Sequence, residues 1–82
     1  MEKYIVYILQ SEIDESRFYV GITELAVKER LQYHNRGQVS HTSKYRPWRI
    51  KTYTVFSDKA RAFAFEKYLK THSGRAFAKK RL

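Results

Sequence analysis

Residues 4–9 read YIVYIL and residues 17–22 read RFYVGI. Both runs are rich in β-branched and aromatic residues and too short for a helix, so each predicts a β-strand. Residues 11–16 between them are polar and acidic, which suits a hairpin loop longer than the tightest turns. If Tyr7 and Tyr19 lie opposite one another in that hairpin, both hydroxyls emerge on one face.

The region after the hairpin predicts a helix followed by a loop. Thr23 is a suitable N-cap, and Gly37 is a suitable stop after the basic Arg36. Four residues of this helix share one stripe at positions i, i+3, i+4 and i+7, and these are Val27, Arg30, Leu31 and His34. Residues 38–47 are polar and basic without periodicity, so we expect an exposed loop there.

The remaining residues predict a third strand and two helices. Residues 48–56 alternate, which indicates a half-buried strand. One of its faces should carry Trp48, Ile50, Thr52, Thr54 and Phe56. Ser57 or Asp58 should cap a helix over about 58–72. Its expected buried stripe consists of Ala62, Phe65, Tyr68 and Leu69. Ser73-Gly74 should break this helix before a short basic helix at 75–82.

This order of elements, β-β-α-β-α-α, predicts an α+β fold with a three-stranded antiparallel sheet flanked by helices. A length of 82 residues supports one domain, 1–82, and 43% hydrophobic residues suffice for a core. The absence of cysteine excludes disulfides, thiolate zinc sites and a cysteine nucleophile. Because no apolar run could span a bilayer and the first ten residues do not fit a signal peptide, we expect a cytoplasmic protein without membrane association.

The charge of the chain is large and unevenly distributed. The formal net charge is +9; residues 1–43 hold five basic and six acidic side chains, whereas residues 44–82 hold twelve basic and two acidic ones. Such a basic half attracts polyanions, of which nucleic acid is the most common. A charge that only maintains solubility, or that docks the protein on acidic lipid, is the alternative.

Three polar features resist a purely structural interpretation. Tyr7 and Tyr19 lie in predicted strands, although two core tyrosines would need no chemistry. Arg30 and His34 lie one turn apart on the stripe that faces the sheet, where a histidine is usually a satisfied core residue but a guanidinium needs an acidic or phosphate partner. Glu66 lies at the edge of a buried helix stripe, where it forms a surface ion pair or holds a divalent cation.

Taken together, these residues resemble a known pattern. In chain order the pattern consists of Ile5-Val6-Tyr7, Tyr19-Val20-Gly21, Arg30, His34 and Glu66. The ordered set resembles the GIY-YIG nuclease superfamily, and the chain is similar throughout to its small single-domain branch, the UPF0213-like proteins. The run from Phe65 to Lys70, followed by Ser73 to Phe77, is typical of that branch.

The resemblance implies hydrolysis of DNA phosphodiester bonds with one divalent ion, Mg²⁺ or Mn²⁺. Tyr7 and Tyr19 match the two motif tyrosines, one of which helps to deprotonate the attacking water. Gly21 matches the glycine that leaves room beside the phosphate, although locally it could equally be a bulge or packing glycine. Arg30 matches the arginine that contacts the scissile phosphate.

The other two site residues have roles implied in the same way. His34 lies where members of the family carry His or Tyr, and it would accept a proton from a tyrosine or hydrogen-bond to it. Glu66 matches the metal-binding glutamate. The sequence departs from the family pattern at Ile5, where a glycine is usual, and at Ile22, where some members carry lysine. Asn35 is a weak candidate for a late asparagine found in some relatives.

Further basic residues are candidates for binding DNA or RNA along the phosphate backbone. These are Lys44, Arg46, Arg49, Lys51 and Lys70. Tyr45 or Trp48 could stack on a base, although a core role is the better interpretation for the tryptophan. His41 and His72 have no partner at metal-ligand spacing, so we expect both on the surface.

Several functions remain open at this stage. A divalent-metal-dependent endonuclease or nickase is the first hypothesis. A catalytically weak or inactive nucleic-acid-binding module of the same fold is the alternative, motivated by Ile5 and Ile22. An interaction or scaffold protein that uses its basic half on an acidic partner is a third. We expect a monomer or a weak homodimer.

Overall fold

The computed structural model describes residues 3–82, which form three strands and four helices. Their bounds are β1 Tyr4–Ser11, β2 Phe18–Thr23, α1 Val27–Asn35, α2 Ser40–Ser43, β3 Trp48–Phe56, α3 Lys59–Leu69 and α4 His72–Arg81. The strands form one antiparallel sheet in the order β2-β1-β3. The predicted α+β fold is therefore confirmed. No helix within residues 3–82 is both long and apolar enough to cross a bilayer.

The central strand β1 is covered on both faces. Tyr4, Val6 and Ile8 pack with residues of α3 and α4, whereas Tyr7 and Leu9 pack on the other face with residues of α1 and β3. Because neither face meets water, the strand is continuously apolar rather than alternating. The side chains at odd positions of β1 face the helix that carries the arginine and the histidine.

A bulge in β3 changes which face its residues occupy. Ile8 pairs with Thr52, but Leu9 pairs with Ile50, so Lys51 is an extra residue in the ladder. Ile50 consequently packs with Leu9, whereas Phe56 packs with the opposite cluster. The prediction that one face carries all the even-numbered residues of β3 is wrong, because the bulge shifts the alternation by one residue.

The segment around α1 and α2 differs from the prediction in two places. The helix α1 begins only at Val27, and its N-cap, Ala26, offers no side-chain hydrogen bond. The Thr23 hydroxyl instead accepts a hydrogen bond from the backbone N–H of Leu25, within the turn that leaves β2. The expected loop at 38–47 contains α2, in which the Thr42 side chain is buried.

The last two helices are separated earlier than predicted. Asp58 caps α3, as expected, but the break falls at Lys70 and Thr71, and the Thr71 hydroxyl caps α4 by accepting a hydrogen bond from the N–H of Gly74. Gly74 lies inside the first turn of α4, where a Cβ would overlap the carbonyl of Tyr68. The prediction of a buried Tyr68 is also wrong, since its side chain is exposed.

Candidate active site

Tyr7 lies at the centre of the sheet, and its partner across the hairpin is Gly21. Tyr19 pairs with Leu9 instead, so the two tyrosines do not lie directly opposite one another. They nevertheless share one face, because their positions in the ladder differ by two residues, and their ring centroids lie 6.3 Å apart. A Cβ on Gly21 would overlap the Tyr7 hydroxyl, so this position requires a glycine for close approach.

His34 lies on α1 and is fully buried against the tyrosines. Its Nε2 is 2.9 Å from the Tyr7 hydroxyl, and its Nδ1 is 2.8 Å from the hydroxyl of Thr42. The Thr42 hydroxyl donates its proton to the carbonyl of Val39, at 3.2 Å, and must therefore accept a proton from Nδ1. This network leaves the Nε2 lone pair free to accept the hydroxyl proton of Tyr7.

Arg30 lies one helical turn before His34 and points at the same hydroxyl. Its Nε donates to the Tyr7 oxygen at 3.3 Å. Within the described part of the chain, no carboxylate lies within 4.0 Å of the Arg30 guanidinium. A half-buried guanidinium without an acidic partner is a site prepared for an anion.

The protonation states of this cluster follow from its burial. Desolvation, with a smaller contribution from the Arg30 charge, lowers the pKa of His34 to about 4. Burial raises the pKa of Tyr7, although the hydrogen bond and the charge of Arg30 act in the opposite direction. At neutral pH, Tyr7 is therefore a protonated donor and His34 is a neutral acceptor.

Tyr19 lies between His34 on one face of the sheet and a cavity on the other face. Its ring centroid lies 4.9 Å from that of His34. Tyr19 is also one of the residues that line a cavity of about 940 Å³ on the surface of the molecule. The apolar residues that line this cavity pack on the face of the sheet opposite Tyr7, and these are Ile8, Val20, Leu69 and Ala78.

Glu66 approaches the site from α3. Its side chain is 17% exposed, and its Oε2 lies 2.7 Å from Nζ of Lys70. The Glu66 charge contributes to the raised pKa of Tyr7, so the carboxylate acts electrostatically on the hydroxyl at the centre of the cluster. Within residues 3–82, no hydrogen bond or ion pair joins Glu66 to the other site residues.

The residues present fit a metal site built on one carboxylate. Residues 3–82 contain no group of three His, Cys, Asp or Glu side chains that could hold a metal ion together. Mg²⁺ in phosphate-processing sites is often bound through one or two carboxylates, with phosphate oxygens and waters completing its shell. Glu66 can serve as such a ligand, since it already attracts a cation, the ammonium of Lys70.

The five basic residues expected to bind nucleic acid lie in different surroundings. Lys51 and Lys70 line the cavity that Tyr19 borders. Arg49 is engaged with Glu15 in an ion pair of 2.8 Å. Two more lie on the loop that precedes β3: the ammonium of Lys44 is over the Tyr45 ring, and the guanidinium of Arg46 packs on Gly37.

Two residues considered for function have structural roles. The Asn35 amide forms two hydrogen bonds with the backbone of Trp48. Its Nδ2 donates to the Trp48 carbonyl, and its Oδ1 accepts from the Trp48 N–H. The Trp48 indole is buried and donates to the carbonyl of Thr42, so it cannot stack on a base. His41 and His72 are exposed, as expected.

Sequence reasoning missed Thr42, which fixes the tautomer of His34. No signal identified it, because it lies in a segment without periodicity and becomes recognisable only when α2 packs beside α1. Three cavity-lining cations, Arg17, Arg75 and Lys79, were also missed. The signal for Arg75 and Lys79 was only the general excess of positive charge in the second half of the chain, and Arg17 had no such signal.

Comparison with known families agrees with this geometry. A family model described as the GIY-YIG catalytic domain matches residues 3–81. The chain therefore belongs to the GIY-YIG family and has a nuclease-type fold. A search of curated protein sequences gives no match.

Proposed function

We propose that this protein is a divalent-metal-dependent endonuclease or nickase that hydrolyses DNA phosphodiester bonds. One observation carries the proposal. The Tyr7 hydroxyl oxygen accepts a hydrogen bond from Nε of Arg30 and lies within hydrogen-bond distance of Nε2 of His34. Among residues 3–82, the Arg30 guanidinium has no acidic partner. An anion-binding group and a proton-transfer group therefore meet at one oxygen.

Arg30 is the group that would bind the scissile phosphate. Its Nε is used by Tyr7, so its remaining N–H groups are available to phosphate oxygens. A guanidinium placed before the reaction stabilises charge that develops on these oxygens without reorganisation. Arg30 would thus position the phosphate beside the tyrosine hydroxyl.

Tyr7 is the proposed general base, acting through His34. As the attacking water gives a proton to the Tyr7 oxygen, the hydroxyl proton of Tyr7 passes to Nε2 of His34, which is neutral and has a free lone pair. The charge of Arg30 is one cause of the low pKa of His34. A phosphate bound to Arg30 neutralises that charge and makes His34 a better proton acceptor.

Glu66 is the residue that would hold the metal ion. A divalent cation there would supply positive charge to the phosphate oxygens during displacement. The departures from the family pattern leave this arrangement intact, because Ile22 packs with Val6 on the face of the sheet opposite Tyr7. Ile5 pairs with Thr23 and makes no hydrogen bond to the site.

The proposal is tested by incubating supercoiled DNA with the protein and Mg²⁺ or Mn²⁺, in parallel with an RNA substrate. We expect nicked circles to form, and we expect Arg30→Ala and Glu66→Gln each to lower the rate at least about 100-fold. Arg36→Ala and Glu29→Gln, which change exposed residues of the same two types on or next to α1, should leave it unchanged.

Two outcomes would contradict the proposal. Cleavage that is equal in the site variants and in the wild-type protein would identify a contaminating nuclease. Salt-sensitive DNA binding that Glu66→Gln leaves unchanged, without cleavage in any condition, would instead favour the nucleic-acid-binding module.

A further inference from the structure

A groove with basic walls lies next to Glu66, the candidate metal ligand. It is the cavity of about 940 Å³ that Tyr19 borders, and residues from all three strands and from α3 and α4 line it. Its cationic residues, which define the basic groove, are Arg17, Lys51, Lys70, Arg75 and Lys79. Among residues 3–82, no acidic residue lines it. The basic groove lies on the face of the sheet opposite Tyr7, and its residue Lys70 is joined to Glu66, the candidate metal ligand, by an ion pair of 2.7 Å.

The basic groove is amphipathic in construction. Its buried lining is apolar and includes Ile8 and Leu69, whereas its cations are mostly exposed at the surface. An aromatic side chain, Phe18, also lines it and is 51% exposed. The ammonium of Lys51 lies 5.8 Å from the centre of this ring, which places a cation beside an exposed aromatic surface.

Most of the charge in the groove is not neutralised by the protein. Arg17 pairs with Asp14 and Lys70 pairs with Glu66. Within the part of the chain that the structure describes, Lys51, Arg75 and Lys79 have no carboxylate within 4.0 Å. Several like charges that converge on one concave surface repel each other and raise the local concentration of anions.

We propose that the basic groove binds a single strand of nucleic acid next to the bond that is cleaved. This inference rests on the proposed function, because it gives the substrate strand a path away from Glu66, the proposed metal ligand that pairs with Lys70 of the groove. Phosphates along that path would contact Lys51, Arg75 and Lys79, and an unpaired base would stack on Phe18. Bases present a free face to an aromatic side chain only where the strand is unpaired, so the apolar lining favours a single strand over a duplex.

The test measures binding without chemistry. A fluorescent short oligothymidylate is titrated with metal-free protein in EDTA, and fluorescence anisotropy gives the affinity over a series of salt concentrations. The groove variant combines K51Q, R75Q and K79Q. The matched control combines K28Q, R36Q and K59Q. It also removes two lysines and one arginine, but from exposed positions outside the groove.

The two triple variants should differ although they lose the same charge. The groove variant should bind about tenfold or more weakly, and its plot of log K against log salt should flatten by about 2, since each phosphate contact on a single strand contributes about 0.7. The control should show less than half of both effects. Equal effects in the two variants would overturn the inference, because net charge alone would then explain binding.

A second pair of variants tests the stacking contact. F18A should bind the oligothymidylate about tenfold more weakly at every salt concentration, without a change in slope. F63A removes the same side chain from α3, where it is 48% exposed, and should have no effect. Tighter binding of a blunt duplex than of the oligothymidylate would overturn the assignment to a single strand.

Failure of the groove and failure of the nuclease assignment give different results. If only the groove is wrong, cleavage still depends on Arg30 and Glu66 while the two triple variants bind alike. If only the nuclease assignment is wrong, the groove variant binds weakly and the control binds well, but no condition gives cleavage.

Discussion

The Tyr7 hydroxyl lies 2.9 Å from Nε2 of His34, so a residue of the central strand and a residue 27 positions later share a hydrogen bond inside the protein. Tyr7 is 1% exposed and His34 is 0% exposed, so bulk water cannot replace either partner. The hydrogen bonds continue from Nδ1 of His34 to the Thr42 hydroxyl and from there to the backbone carbonyl of Val39. Such a satisfied buried network fixes the direction of each proton, and removing one member leaves the others unpaired.

Replacing Tyr7 by phenylalanine should affect cleavage more than the same change at Tyr19. Tyr7→Phe removes the oxygen that joins Arg30 to His34, and we expect the nicking rate to fall about 10²- to 10⁴-fold. It should also lower the free energy of unfolding by about 1–3 kcal/mol, because His34 loses its buried partner.

Tyr19→Phe is the matched control. The Tyr19 hydroxyl makes no hydrogen bond to any other residue within 3–82, so this change should leave stability within about 0.5 kcal/mol and reduce the rate less. Nicking assays and urea denaturation of both variants check the prediction. A larger loss of rate in Tyr19→Phe would assign the base to that tyrosine instead.

Thr42 should act as a positioning residue. Thr42→Val keeps the shape of the side chain but removes the acceptor for Nδ1–H of His34. The imidazole proton of His34 can then move from Nδ1 to Nε2. A protonated Nε2 can no longer accept the hydroxyl proton of Tyr7. We expect a rate about 10- to 100-fold lower and a shifted pH profile of kcat/KM, both largely restored in Thr42→Ser. Reduced stability with an unchanged pH profile would show a merely structural role.

The strands were the part of the fold that the sequence predicted best. Residues 48–56 were assigned to a strand, and β3 has these bounds, because β-branched and aromatic residues alternate there. The faces of that strand were not predictable, since the bulge at Lys51 depends on how β3 pairs with β1. The break between α3 and α4 was placed at Ser73-Gly74 because glycine usually ends a helix, whereas the close approach to Tyr68 explains this glycine.

The candidate site was predictable where family resemblance and local spacing agreed. Arg30 and His34 fall one turn apart on the buried side of α1, and the structure brings both to Tyr7. Their chemical roles remain predictions. Thr42 could not be found in this way, because its contact with His34 depends on the packing of a single-turn helix, α2, in a segment expected to be a loop.

Gly21→Ala should disturb Tyr7 directly. The added Cβ would overlap the Tyr7 hydroxyl and lie close to the Tyr19 ring, so the tyrosine must move away from His34. We expect the free energy of unfolding to fall by about 1–3 kcal/mol and cleavage to fall at least about tenfold. In the Tyr7→Phe background the same substitution should cost somewhat less stability, because the overlap with the oxygen is gone while the overlap with the ring carbon Cζ remains. Equal costs in both backgrounds, measured by urea denaturation, would contradict this account.

His34 should make the stability of the protein depend on pH between about 5 and 7. Burial holds its folded-state pKa at about 4, below the unfolded value of 6.5, so the unfolded chain takes up a proton first as the pH falls. The contribution of His34 is therefore complete at pH 7 and above, and about 2 kcal/mol of it should be lost at pH 5. Urea denaturation across this range measures the effect. In His34→Gln the pH dependence in this window should largely disappear, whatever the stability of that variant at pH 7. Equal stability of the wild-type protein at pH 5 and pH 7 would show that His34 is not held neutral by the fold.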